Sequence, residues 1–406
     1  MRRPRPAVGL LVGFLLAGIA LRPQLGGVGP LVPRIQADLG VSHAVAGLLG
    51  TIPVLCMGLF APRAAGIAGR FGTGRAIGLA LGLVAVFGAL RTVVPPAWAV
   101  LALTMPIGIG IAVAGTLMPL AVRELLPQRL GLGTGLYGSG MNIGSALSPA
   151  LAVPLAVWLG GWRESLAAMA GAGGLLALGW LLLVRGRSGA ARSLTKPAPM
   201  PLRSGMAWLC CVIFGVLGIS FYGIIAWLPD ALVEHGWSDS RAGYVLAVAL
   251  AVSAPVTLAV PSLAERFGSR RLWLLAGSLL QVVGLALFIA FPGGGWAWSV
   301  LLGAGLGATF STLMTLPLDL GTGPARVAAA AGMMLGVGYT ISAIGPFALG
   351  AVRDATGSYT ASLWLIAGCA AFVAVAGSPL TRERLARAAA AAAGDPAAAG
   401  KPGRRD

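Results

Sequence analysis

Long apolar runs dominate the chain, separated by short polar or Gly/Pro-rich stretches. They cover 8–36, 44–67, 76–94, 97–122, 133–158 and 164–184, then 207–230, 242–263, 272–291, 297–318, 328–351 and 360–378. Most are near the ~20 residues that cross a bilayer as α-helix. None alternates as a barrel strand does, so each run predicts a membrane helix. The expected fold class is an all-α membrane protein with twelve transmembrane helices. The first run is too long for a straight span. Its cluster Pro23, Gly26, Gly27, Gly29, Pro30 and Pro33 predicts a tilt or a break.

The two sets of six runs repeat. At an offset of 196, Pro33, Gly40, Ser42, Ala46 and Gly47 fall on Pro229, Gly236, Ser238, Ala242 and Gly243. "TLM" (116–118) falls on "TLM" (312–314), and one residue further in offset Gly135, Ser145, Ala146 and Pro149 fall on Gly332, Ser342, Ala343 and Pro346. Chance apolar matching would scatter Ala and Leu, not keep Gly and Pro in register. The expected organisation is two six-helix bundles, 1–184 and 207–378. Between them lies a basic, Pro-containing cytoplasmic linker (185–206), and a basic Ala-rich cytoplasmic tail (379–406) follows. Parallel repeats place a binding site near mid-membrane between the halves, expected among the first, fourth, seventh and tenth segments.

Composition agrees. Hydrophobic residues make up 57% of the chain and charged residues 10%, against about a quarter charged in soluble domains. The net charge of +17 sits between apolar segments, which argues for membrane topology rather than nucleic acid. All but six of the 29 Lys and Arg fall on one side if the N-terminus is cytoplasmic; the exceptions are Arg22, Arg34, Arg91, Arg163, Arg241 and Arg353. The positive-inside rule therefore places both termini in the cytoplasm. The basic, apolar start lacks a small-x-small cleavage site and reads as a retained helix. Cys56, Cys210, Cys211 and Cys369 lie inside apolar runs and read as small buried hydrophobes. No cofactor is expected, and the expected partners are membrane lipid and a small-molecule substrate, with the chain a monomer.

Arg22 is the residue that needs explaining. It lies roughly 14 residues, or ~21 Å, into the first helix, where an arginine costs at least about 2.5 kcal/mol. A water-filled cavity is the place it can occupy. Its planar fork of donors suits a carboxylate, cyanate or nitro group. A structural role is the alternative: Pro23 frees a carbonyl one turn back, which the guanidinium could satisfy. Gln24, Asn142, Phe221, Tyr222 and Tyr339 are the further candidates for substrate contact, each also explicable by packing between helices. No carboxylate sits clearly at mid-membrane, so any proton coupling would have to use acids near the gates such as Asp319 or Asp230.

"AGIAGRFGTGR" between the second and third runs, with its repeat "PSLAERFGSRR", resembles the cytoplasmic signature of the major facilitator superfamily, G-x-L-A-D-R-x-G-R-R. The resemblance implies the major facilitator fold and alternating access. Gly69 stands where the family has Asp; Glu265 keeps an acid in the second copy. The family's latch implies a cytoplasmic gate that uses Arg70, Glu265 and Arg266, and spacing beside the loops adds Asp319 to it; a basic loop that only sets topology is the alternative. "LRP", "VGPLVP", "GLYGSGMNIGSALSPALAVPL" and "GWRESL" resemble the cyanate/nitroimidazole transporter family, with Ala20 where that family commonly has Asn. This implies a secondary or facilitative transporter of a small anionic or polar solute (cyanate-like, nitro- or carboxylate-bearing) in a bacterial inner membrane. The alternative is a multidrug or metabolite exporter of the same fold, which for cations would want a buried acid. An enzyme would want paired acids or a His/Asp cluster at one depth, and the sequence offers neither.

Overall fold

The computed structural model describes residues 6–185, 200–267, 270–320, 324–381, 384, 385 and 387. Most of the expected linker and tail lies outside them. Twelve helices among the described residues are long and apolar enough to cross a membrane. They are α1 (Val8–Leu39), α2 (His43–Phe71), α3 (Thr73–Val93), α4 (Ala97–Leu125), α5 (Leu132–Leu159) and α6 (Trp162–Val184). The second six are α7 (Gly205–Glu234), α8 (Asp239–Pro261), α9 (Arg270–Ala290), α10 (Pro292–Leu320), α11 (Arg326–Thr356) and α12 (Tyr359–Gly377). With an even number of spans, both ends of the bundle lie on one face, here called the terminal face.

The helix pairings in the first six are repeated in the second. α1 packs on α5 and α6 as α7 does on α11 and α12; α3 packs on α4 and α6 as α9 does on α10 and α12. Between the sets, the main seams are α2 on α11 and α5 on α8, which the same repeat interchanges.

Several spans are broken where the sequence places breakers, α2 by a 3-10 turn at Ala61–Arg63 and, nearer the middle of the bundle, α1 and α11. α1 runs helically to Ala20, resumes as one turn at Pro23–Gly26, tightens to a 3-10 turn at Gly29–Leu31 and continues from Val32. α11 is interrupted at Ala343, just before Pro346. Across the seam, Thr51 of α2 stitches that interruption: its hydroxyl donates to the Ala343 carbonyl (2.6 Å) and accepts from the Phe347 amide (3.2 Å). The backbone groups released by the break thus find partners inside the bundle, as they must in hydrocarbon.

The halves are sealed at the face opposite the termini. Arg34 reaches Asp239 across the seam at 3.3 Å. Asp354 accepts from the amides of His43 (3.0 Å) and Ala44 (2.8 Å) and meets His43 Nδ1 at 2.7 Å, so an acid of one half caps the first turn of α2 in the other. Within the halves Arg163 pairs with Asp38 (2.9 Å) and Arg353 with Glu234 (3.2 Å), and the Tyr359 hydroxyl donates to Asp230. Three of the arginines that break the positive-inside pattern are therefore in ion pairs.

At the terminal face one of the expected gate residues, Asp319, has a partner within its own half. Asp319 forms an ion pair with Arg270. Both belong to the second half, and Arg270 also donates to the Thr315 carbonyl at 2.9 Å. Arg70 and Arg266 are exposed; the Glu265 side chain lies outside the described set. Arg270 opens α9 and reaches the end of α10.

Candidate functional site

A cavity of about 90 Å³ lies between the two halves, around Arg22. This is well below the roughly 300–1,000 Å³ of drug-sized pockets. α1 contributes Arg22 and α5 contributes Asn142 and Ser145. The second half supplies Phe214, Phe221 and Tyr222 from α7, Ser253 and Thr257 from α8, Phe310 from α10 and Tyr339 from α11. Five of the six residues proposed from sequence thus meet in one place. α4 contributes nothing to this cavity, contrary to expectation. It packs behind, with Gly108 against Pro53 and Cys56 of α2 and Gly110 against the Ala80 carbonyl of α3.

The break in α1 explains how Arg22 is presented. Pro23 has no N–H, so the Ile19 carbonyl loses its ordinary i+4 partner. That carbonyl is taken by the main-chain amide of Arg22 at 3.2 Å, while the Arg22 carbonyl accepts from Leu25 (3.1 Å) and Gly26 (2.9 Å). The backbone at the break is satisfied without the guanidinium. The side chain is half-buried, and its Nε is buried without a hydrogen-bond partner. The Tyr222 hydroxyl, on the opposite wall of the cavity, donates to the Met57 sulfur of α2 at 3.8 Å.

α5 approaches α1 closely enough to fix the arginine's stem. A Cβ on Gly140 would overlap the Leu15 carbonyl oxygen, and one on Gly144 would sit 3.1 Å from the Arg22 Cβ. Only a small residue permits that spacing. The GSGMNIG stretch therefore places Asn142 beside Arg22.

Gln24 is a correction. It does not line the cavity but is buried on the far side of α1, 2% exposed. Its amide donates to the Leu166 carbonyl at 3.0 Å. Its side-chain and main-chain oxygens both accept from Arg91 Nη2, at 2.9 and 3.0 Å. Arg91 is 1% exposed and its other terminal nitrogen reaches Thr104 at 3.4 Å. The unwound segment thus faces two ways, with Arg22 toward the cavity and Gln24 clamped into the first half. Arg91 appeared in sequence only as an exception to charge topology, and that exception was the available signal.

Phe214, Phe310, Ser145, Ser253 and Thr257 were not foreseen. Phenylalanines inside apolar helices carry no signal for a cavity, and hydroxyls there usually bond their own helix. Ser253 does so, to the Leu250 carbonyl at 2.9 Å.

The profile of the Major Facilitator Superfamily matches residues 10–346. The chain belongs to that superfamily. It is 31% identical to the 2-nitroimidazole transporter of Escherichia coli (strain K12) over 379 residues, covering 92% of this chain and 96% of that one. It is 30% identical to the cyanate transport protein of the same organism over 351 residues, covering 86% and 91%. An uncharacterized transporter of Bacillus subtilis (strain 168) is 30% identical over 380 residues, covering 92% and 94%. Among solved structures, a mutant nucleoside transporter superposes with a TM-score of 0.75 at 15% identity, covering 91% of this chain and 98% of that one. A bacterial homolog of the lysosomal transporter Spinster gives 0.74 at 18%, covering 98% and 96%. These two likenesses establish the fold. The chain is a multi-pass major facilitator transporter.

Proposed function

We propose that this transporter carries a small solute with an anionic or electron-rich polar end, bearing a cyanate, nitro or carboxylate group. The observation that carries the reading is Arg22. It is the only charged side chain among the described residues lining the cavity, and its planar donors have no carboxylate to neutralise them. A cation exporter would need the opposite charge at this place. The relatives named for 2-nitroimidazole and cyanate are consistent with an electron-rich cargo.

The excess of basic residues between spans supports a cytoplasmic position for the terminal face in a bacterial cell. The conformation, sealed on the opposite face, is then inward-facing, with the cavity reached from the cytoplasm. The six-helix bundles rock about the cavity while the linker joins them, and the protomer works alone. The gate reading of Arg70, Glu265, Arg266 and Asp319 belongs to the outward-facing form, in which the terminal face closes.

Uptake of labelled cyanate, nitrate and acetate into proteoliposomes tests the reading. Saturable uptake lost in Arg22→Ala is the expected result. Saturable flux of an organic cation with none of any anion would overturn it.

A further inference from the structure

The cavity has two chemically different walls, and the division follows the repeat. The first half offers Arg22, Asn142 and Ser145. The second half faces them mainly with aromatic rings, two of them phenols, beside the hydroxyls of Ser253 and Thr257. Those rings are already ordered against one another: Phe214 stands edge-on to Tyr339 (centroids 5.3 Å apart, planes at 80°) and tilts toward Phe310 at 6.5 Å. Phe221 stands edge-on to Tyr222 at 5.2 Å and 85°. Phe310 remains 39% exposed although it lies within the bundle.

A bare inorganic anion would use Arg22 and the hydroxyls around it. Against the rings of Phe214, Phe221 and Phe310 it would give up hydration and gain no hydrogen-bond partner. An aromatic ring can instead join an edge-to-face array of this kind and gain contact where the bare ion gains none. We propose that the solute is an aromatic monoanion, in which one anionic head binds Arg22 and a flat ring lies against Phe214 and Phe310. Such a molecule touches both halves at once, which a one-carbon anion held by Arg22 does not, and so it favours their closure around it. This inference rests on Arg22 being the anchor for an electron-rich head.

Binding to the purified transporter in nanodiscs separates the two claims. The probes are benzoate, cyclohexanecarboxylate, acetate and cyanate. Benzoate should bind at least about tenfold more tightly than acetate or cyanate, since each aromatic contact is worth roughly three- to tenfold. It should also bind more tightly than cyclohexanecarboxylate, which has the same head on a puckered body. Phe310→Leu keeps an apolar wall without a ring; it should weaken benzoate by roughly three- to tenfold and leave cyclohexanecarboxylate unchanged. The wild-type ranking needs no variant to fold. Acetate or cyanate equalling benzoate would overturn the aromatic claim while leaving the anion anchor standing, as would failure of benzoate to bind at all. Benzoate binding that is unchanged in Arg22→Ala would overturn the anchor itself.

Discussion

Gly47 of α2 lies directly beneath the carbonyl oxygen of Pro346 in α11, so close that a Cβ there would overlap it. Its repeat counterpart does the same: a Cβ on Gly243 of α8 would sit 2.8 Å from the Pro149 carbonyl of α5. The two seams between the halves are thus built from one pair of residues used twice. A larger side chain at either glycine should hold its seam open. Gly47→Leu and Gly243→Leu should each shift the protein away from the sealed form. Spin labels on Ala37 and His235, exposed in opposite halves, report the change as a longer distance. An unaltered distance distribution in both variants would mean that the seams close without this contact.

That relationship was half legible in the sequence. The register of Gly47 with Gly243, and of Pro149 with Pro346, was visible as spacing, because repeats preserve the residues that backbone approach requires. Their mutual contact was not, since spacing cannot say which helices of different halves meet. The same limit applies at the cavity. Arg22 announced itself because a charge in an apolar run has few places to be. Phe310 and Phe214 were silent, because an apolar ring in an apolar helix fits lipid, core or cavity equally. Gln24 was misplaced because the expected break was given more weight than the helical angle, which turns it about 160° away from Arg22, toward the far side of α1 where it lies.

The clamp between Gln24 and Arg91 predicts a non-additive pair. Gln24→Leu leaves the buried guanidinium without its side-chain acceptor, while Arg91→Leu removes the charge. Loss of one buried partner costs about 1–3 kcal/mol, and more for charged groups. The double variant Gln24→Leu/Arg91→Leu should therefore be more stable than Gln24→Leu alone, because the stranded charge is gone. Thermal melting of the three variants in one detergent measures this. Simple addition of the two single losses would show that the contact carries no coupling.

Asp354 caps α2 from the opposite half. Losing such a cap costs about 0.5–2 kcal/mol, and here the loss falls only on the sealed form, because the cap spans the seam. Asp354→Ala should raise the population open on the face opposite the termini by roughly 2- to 30-fold. Alkylation of a cysteine introduced as Ala46→Cys, buried in the sealed form, should speed up accordingly. An unchanged alkylation rate would mean that Arg34–Asp239 and the apolar contacts hold the seam alone.

Arg22 yields the sharpest test, because its two possible roles predict opposite behaviour. If the guanidinium repaired the backbone at the Pro23 break, Arg22→Ala would strand a buried carbonyl and lower the melting temperature, at a cost of about 1–3 kcal/mol. The geometry argues against this. The Ile19 carbonyl is already served by the Arg22 main-chain amide, which an alanine retains. Deleting the side chain also removes a charge that costs at least about 2.5 kcal/mol to place at this depth. Arg22→Ala should therefore melt at or above the wild-type temperature without ligand, yet show no stabilisation by any anion and no uptake. Arg22→Lys keeps the charge but not the fork of donors, so it should bind weakly at best. A lowered melting temperature in Arg22→Ala, with the ligand-induced shift intact, would return Arg22 to the backbone and leave Asn142 and the tyrosines to hold the solute.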